Sequence, residues 1–438
     1  MKNIGYIICF LGGFYAYGQK DIGGLPRQAK LDFSLRWQAD QGALIREVTP
    51  DSRASKAGLQ AGDILLSIDQ QPLDSYTNYH KAIAPLQGEK SYSLKLQREK
   101  QVLTTRYKPA ALPLEKNLRN KVIYEYLQLP NGKKLRTLIT KPKTRTNRKR
   151  PAVFLVQWLS CTTTETTTGV VNGFDLLTKY FAEHPDIIFM RVEKQGVGDS
   201  EGVCAEYDLK EELLANQLAL EALKKRADVD TTQIYLVGMS LGGGLSALLG
   251  EHQPIKGYIV TGACTVTWFE HMMEIERRRL SLLGETPTQI NDKMRRYASF
   301  YQKYYNEKMT PGEIVKQYPK LANLWYDQPA HQYGRPARFY QQLQEINFEA
   351  AWTKVKVPTL VIYGKYDWIM SLNDHQSIVD IVNTSQANLA QLEVLPKTNH
   401  VLNIFDSPQA AFKGKGGTPS EQLIRVVDEW FKVQLAQP

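Results

Sequence analysis

Cysteine is scarce in this chain, with four in 438 residues. None are spaced Cys-x-x-Cys, and no histidines stand as His-x-x-x-His. A zinc site built on close ligand pairs is therefore excluded, and nothing else in the sequence asks for a metal or an organic cofactor. Long hydrophobic runs are also lacking. The apolar run at 4–15 is too short for a comfortable membrane span, and no transmembrane segment is expected once it is removed. Blocks of one charge are rare. The formal net charge is +10, but the basic residues are spread along the chain. The one dense basic run, 141–150, lies between two strand-like stretches and reads as a solvated loop, so no nucleic-acid partner is expected.

What is present starts at the N-terminus. Met1-Lys2-Asn3 is a short positive start to the apolar run, and Ala16-Tyr17-Gly18 puts small residues where signal peptidase reads. The expectation is a signal peptide over 1–18, cleavage near Gly18, and a periplasmic or secreted protein. Cys9 leaves with it. Cys161, Cys204 and Cys264 remain, enough for one disulfide and one free thiol. The length exceeds one ordinary core, so two domains or large insertions are expected.

The most informative stretch is Gly238-Met239-Ser240-Leu241-Gly242. An apolar run of strand type precedes it and a small-residue helix start follows. Strand, tight Gly-x-Ser-x-Gly turn and helix make a nucleophile elbow. The turn holds the serine in a strained conformation, so the residues two places either side must be very small. Around the elbow, apolar runs at 152–156, 186–190, 255–260, 357–363 and 390–395 alternate with helical stretches. That is the pattern of a mostly parallel sheet covered by helices. The region 265–345 breaks the alternation. It is helical, charged and aromatic, and falls where a cap over a site would be inserted. Most of its aromatics should pack the cap, and a few should line a pocket.

Two resemblances follow from these residues. The stretch Ala57-Gly58-Leu59, Gly62-Asp63 and the apolar strand after it resemble a PDZ domain, placed at 28–109. The resemblance implies a peptide groove whose carboxylate loop aligns with Leu31-Asp32-Phe33, and whose flanking helix carries His80. Asp32 stands where the loop usually has glycine. Two partner readings stay open: a peptide or protein ligand in the groove, or an internal docking module. A linker is expected at 110–120.

From 121 to 438 the chain resembles the α/β-hydrolase superfamily. The resemblance implies an eight-stranded, mostly parallel sheet with a helical cap. It implies a triad in the order Ser240, Asp367, His400. Asp367 follows the strand ending Tyr363-Gly364, and His400 follows the last strand. A serine hydroxyl is a poor nucleophile, so a histidine must take its proton and a carboxylate must orient that ring. The oxyanion hole would use the Leu241 amide and a second amide from Leu159, with Trp158 the next candidate; Trp158 stands where many relatives have glycine. Glu193 and Lys194 are possible pocket-edge groups. Cys161 and Cys204 follow strands that are neighbours in such a fold and are candidates for the disulfide. The implied activity is hydrolysis of an ester or thioester of a small acyl substrate. The alternatives are a serine peptidase acting on short peptides and a non-catalytic peptide-binding scaffold.

Overall fold

The computed structural model describes residues 22–39, 41–144, 148–167, 169–251 and 253–437. The signal-peptide reading of 1–18 lies outside the described residues.

The first unit is a small antiparallel sheet. Its strands β1 (Phe33–Gln38), β2 (Gly42–Val48), β3 (Ile64–Ile68), β4 (Tyr92–Arg98) and β5 (Gln101–Tyr107) lie in sequence order. A short helix α1 (Arg53–Lys56) and a longer helix α2 (Tyr76–Ile83) start on serine caps at Ser52 and Ser75. Gly62 takes φ +96° in the Gly-Asp turn, where a side chain would be strained. The Asp63 carboxylate beside it binds Arg98 at 2.7 Å and so ties the turn to β4.

The second unit carries an eight-stranded sheet. Its strands are β6 (Asn120–Gln128), β7 (Lys134–Pro142), β8 (Arg150–Val156), β9 (Ile188–Val192), β10 (Val229–Met239), β11 (Gly257–Thr261), β12 (Thr359–Gly364) and β13 (Ala390–Leu395). The order across the sheet is β13-β12-β11-β10-β8-β9-β7-β6. The antiparallel pairs are β6 with β7 and β7 with β9; β8 through β13 pair with one another in parallel. The chain moves outward from β8 in one direction to β9 and in the other to β10. That reversal opens a crevice at the carboxyl ends of the strands. Helices cover both faces, so central strands are buried on both sides. In β8, Ala152, Phe154 and Val156 join one core and Val153 and Leu155 the other. Their continuous apolar run is the result.

Helices α3 (Gly173–Glu183), α4 (Leu209–Lys224) and α5 (Leu241–Gly250) follow β8, β9 and β10. Between β11 and β12 come α6 (Trp268–Leu282), α7 (Pro287–Tyr301), α8 (Pro311–Gln317), α9 (Ala337–Leu343) and α10 (Phe348–Trp352). Helix α11 (Leu372–Asn383) links β12 to β13, and α12 (Pro408–Lys413) and α13 (Glu421–Leu435) end the chain. The cap aromatics mostly stack on one another: Phe300 on Trp325 at 5.4 Å, and Tyr301 on Tyr305 at 5.2 Å.

The junction between the units is closely bonded. Ala29–Lys30 pairs with Ala110–Ala111, so the chain enters and leaves the small unit side by side. Glu115, inside the expected linker, is buried and grips Arg191 with both oxygens at 2.8 and 2.9 Å. Arg27 is buried against Glu165 at 2.5 Å and Asp199 at 2.9 Å. The expected linker at 110–120 is thus anchored at Glu115. The cause is a set of buried charges, among them Arg27, whose carboxylate partners lie on the other unit.

Candidate active site

Ser240 sits between β10 and α5 with φ +55° and ψ −127°, in the left-handed half of backbone space that side chains rarely take. The flanking glycines make this possible. A Cβ at Gly242 would lie 2.1 Å from the Val156 carbonyl oxygen, and one at Gly238 would lie 2.5 Å from the Gly242 oxygen. The Ser240 amide donates to the Thr261 carbonyl at 2.7 Å, which pins the turn to β11.

Three side chains from three loops meet here. His400 Nε2 is 2.9 Å from Ser240 Oγ, and His400 Nδ1 is 2.8 Å from Asp367 Oδ2. The other carboxylate oxygen of Asp367 accepts from the amides of Ile369 and Met370 at 2.8 and 2.9 Å. Burial works against charge on Asp367, but the His400 ring and the Met370 amide outweigh it and hold the carboxyl below its ordinary range. An ionised Asp367 fixes the proton of His400 on Nδ1 and leaves Nε2 to accept from the serine. Gly262, at φ +60°, leaves space for the imidazole: a Cβ there would be 2.8 Å from His400 Cε1. Asp374 and His375, close in sequence to Asp367, serve structure. Asp374 accepts from the Thr265 amide at 2.9 Å, and His375 bridges the Ser371 carbonyl and the Ala263 amide.

The loop after β8 runs beside Ser240. Leu159, Trp158 and Leu241 all line a cleft of about 700 Å³ that opens on Ser240 and His400. Among the described residues none accepts a hydrogen bond from the Leu159 or Leu241 amide. The loop is held from below. Lys194 donates to the carbonyls of Trp158 and Ser160, and Arg335 to that of Leu159 at 3.3 Å. Both cations are buried, and Glu212 pairs with both. Burial lowers the Lys194 pKa to about 8. Within one trans peptide the C=O and the next N–H point opposite ways. Anchoring the Trp158 carbonyl downward therefore turns the Leu159 N–H the other way. The Trp158 indole is accommodated by stacking on Phe174 at 5.7 Å and by donating to Thr162 at 2.6 Å. Cys161 is bonded to Cys204 with Cα atoms 6.0 Å apart, which ties the end of this loop to the short turn Cys204–Glu206. Cys264 is free and buried.

Glu193 and Lys194 lie beneath the loop and not at a pocket edge, because each finds its partners there. Glu193 accepts from Thr163 Oγ1 at 2.7 Å and from the Thr164 amide and hydroxyl, both at 2.8 Å. Burial, then the charge of Glu165, raises its pKa to about 7. Nothing in the sequence singles out Arg335 for this role, since it stands in the cap far along the chain. Among the described residues, no group of three or more His, Cys, Asp or Glu is placed to hold a metal ion.

The groove residues of the small unit lie elsewhere. Leu31, Asp32 and Phe33 lead into β1; the Asp32 amide donates to the Tyr107 hydroxyl at 3.3 Å and its carbonyl accepts from Thr49. Trp37 of β1 packs on Tyr79 of α2 at 5.7 Å, so the protein's own rings fill the space between strand and helix at that level. His80 packs on Tyr76 at 4.5 Å, and Tyr76 in turn on His331 of the hydrolase unit at 4.8 Å. Lys81 binds Glu206 at 2.8 Å. Helix α2 thus faces the turn that carries Cys204.

The sheet order, the elbow and the inserted cap define an α/β-hydrolase. The chain belongs to the family described as "Serine aminopeptidase, S33", whose profile matches residues 170–404, and a PDZ-domain profile matches residues 44–98. It is a serine hydrolase with an N-terminal PDZ domain. Similar curated proteins include the periplasmic serine endoprotease DegP of Salmonella typhimurium, 30% identical over 87 residues, which are 20% of this chain and 18% of that protein. DegP of Escherichia coli is 34% identical over 59 residues, 14% of this chain and 12% of that protein. The chain thus spans less than a fifth of these relatives. Similar solved structures include Est1E from Butyrivibrio proteoclasticus, at 16% identity and a TM-score of 0.46, covering 72% of this chain and 99% of that one. The Pyrococcus furiosus esterase Pf2001 is similar at 11% identity and a TM-score of 0.44, covering 72% and 92%.

Proposed function

We propose that the protein is an exported serine hydrolase that cleaves an ester or thioester through an acyl-enzyme. One observation carries the reading: a single imidazole bridges the elbow serine and a buried carboxylate, at 2.9 and 2.8 Å. In this reading His400 Nε2 takes the Ser240 proton as Oγ attacks the acyl carbon. The Leu241 and Leu159 amides receive the oxyanion, and Asp367 stabilises the imidazolium. The tetrahedral intermediate expels the alcohol or thiol, which leaves with the proton from His400. Water, deprotonated by the same ring, then attacks the acyl-enzyme and returns free Ser240. No cofactor enters any step.

The PDZ domain is read as an internal docking module, supported by the buried pairs of Arg27 and by the contact of α2 with the hydrolase unit. Export is supported by the positive-apolar-small start of the sequence and by the Cys161–Cys204 bond, a feature of oxidising compartments. The similarity of a segment to periplasmic proteases points the same way. Among the described residues no helix is long and apolar enough to cross a membrane.

Peptidase action on short peptides is the second reading, favoured by the family's description. Steady-state hydrolysis of short-chain p-nitrophenyl esters and thioesters, beside aminoacyl and prolyl p-nitroanilides, separates the two. Esters turned over at least about a hundredfold faster in kcat/KM, with a burst of one p-nitrophenol per enzyme, is the expected result. Preference for the anilides would move the assignment to a peptidase.

A further inference from the structure

The cap side of the cleft is largely aromatic and apolar, with polar atoms carried by Trp268, His271 and Tyr333. Helix α6 presents Trp268, His271 and Ile275 to it, spaced three and four residues apart and so on one helix face. His271 is 1% exposed, and its Nδ1 has no hydrogen-bond partner among the described residues. Burial keeps the ring neutral, with its pKa lowered to about 4. Other buried histidines of this unit are bonded. His375 is engaged at both nitrogens, by Ser371 and Ala263, and His331 Nε2 lies 3.1 Å from the Ala205 carbonyl. Buried polar atoms are nearly always partnered. His271 lines the cleft, and a ring with an unpartnered nitrogen among mostly apolar walls is an arrangement by which small-molecule sites fix orientation.

We propose that His271 is a specificity residue, whose imidazole hydrogen-bonds a neutral hydroxyl on a ring-bearing acyl group seated beneath α6. This rests on the hydrolase reading above. A hydroxyl both donates and accepts, so it satisfies the ring in either neutral tautomer. An ionised substituent would lose its water among Trp268, Ile275 and Met370 with no opposite charge in return. Trp158, Phe174 and Trp368 supply flat walls for a ring.

The test is kcat/KM for p-nitrophenyl phenylacetate against its 2-, 3- and 4-hydroxyphenylacetate counterparts, with wild type, His271→Phe and His271→Gln. Melting midpoints report folding, and fluorophosphonate labelling of wild type reports a working Ser240. Wild type should favour one hydroxy isomer by at least about tenfold. His271→Phe should bring that ratio below about twofold, while His271→Gln, which keeps a hydrogen-bonding group, retains part of it. Labelled wild type with no preference for any isomer overturns the inference alone, as does a preference that survives in His271→Phe. Should His271→Phe not fold, an unchanged ratio in His271→Gln combined with an unchanged KM for both esters overturns it. Wild type that neither labels nor hydrolyses any ester removes the hydrolase reading and this inference together.

Discussion

Two single residues show how little slack the site has. Gly262 makes room for the His400 ring, and a methyl group there would press on Cε1 and Nδ1 at 2.8 and 3.1 Å. Its φ of +60° adds strain to any side chain. Gly262→Ala should therefore displace the imidazole from Ser240 and lower kcat by about a hundredfold; steady-state kinetics beside a near-unchanged circular-dichroism spectrum would show it. Glu193 makes a different prediction. Its pKa is raised in the folded protein, from an ordinary 4.5 to about 7. The protonated form favours the fold, so this stabilisation is full below about pH 4.5 and is lost as pH rises through about 7. Glu193→Gln removes the titration. Urea unfolding from pH 4.5 to 8 should show the variant gaining stability relative to wild type across that window. A constant difference at all pH values would contradict the assignment.

At the scale of elements, the loop after β8, the proposed oxyanion loop, is the part held least by its own sequence. Three successive carbonyls, of Trp158, Leu159 and Ser160, rest on Lys194 and Arg335, and the disulfide holds the end of the loop. Lys194→Met keeps the bulk and removes the donors. It should lower kcat by about ten- to a hundredfold with less change in KM, as expected for a donor that acts mainly in the transition state. A loss confined to KM would contradict the loop's role. This element also marks where the sequence stopped being readable. The elbow was legible because Gly238 and Gly242 flank Ser240 in a strand-turn-helix setting, and Asp367 and His400 because each follows an apolar strand. The sheet was legible from runs such as Ala152 to Val156, buried on both faces. The partners of the loop were not legible. Lys194 follows β9 and Arg335 stands late in the cap, and nothing local in either segment says that they converge under one backbone turn. His271 was hidden for a similar reason: a histidine within an amphipathic helix looks the same whether it is packed or open to a cleft.

At the scale of the whole molecule, the two units share buried charge. Arg27 precedes the PDZ sheet, yet its guanidinium is satisfied by Glu165 and Asp199 of the hydrolase. Arg136 meets the other oxygen of Asp199 at 3.0 Å. Removing Arg27 strands a buried carboxylate. Arg27→Met should cost about 3–5 kcal/mol, read by urea unfolding, and should loosen the junction so that the PDZ domain unfolds separately. A single transition at wild-type midpoint would show that the junction contributes little. The same docking brings α2 against the turn of Cys204, one disulfide away from the loop after β8. The PDZ domain is thus placed to hold the loop's support as well as itself.

In the proposed mechanism Ser240 is a nucleophile activated by His400 and Asp367. Intact-mass measurement after treatment with a fluorophosphonate tests it most directly, with wild type beside Ser240→Ala. One adduct per chain is expected in wild type, mapped to the peptide containing Ser240, and none in the variant. A folded wild type that takes no label, or a Ser240→Ala variant that takes it equally, would contradict the account.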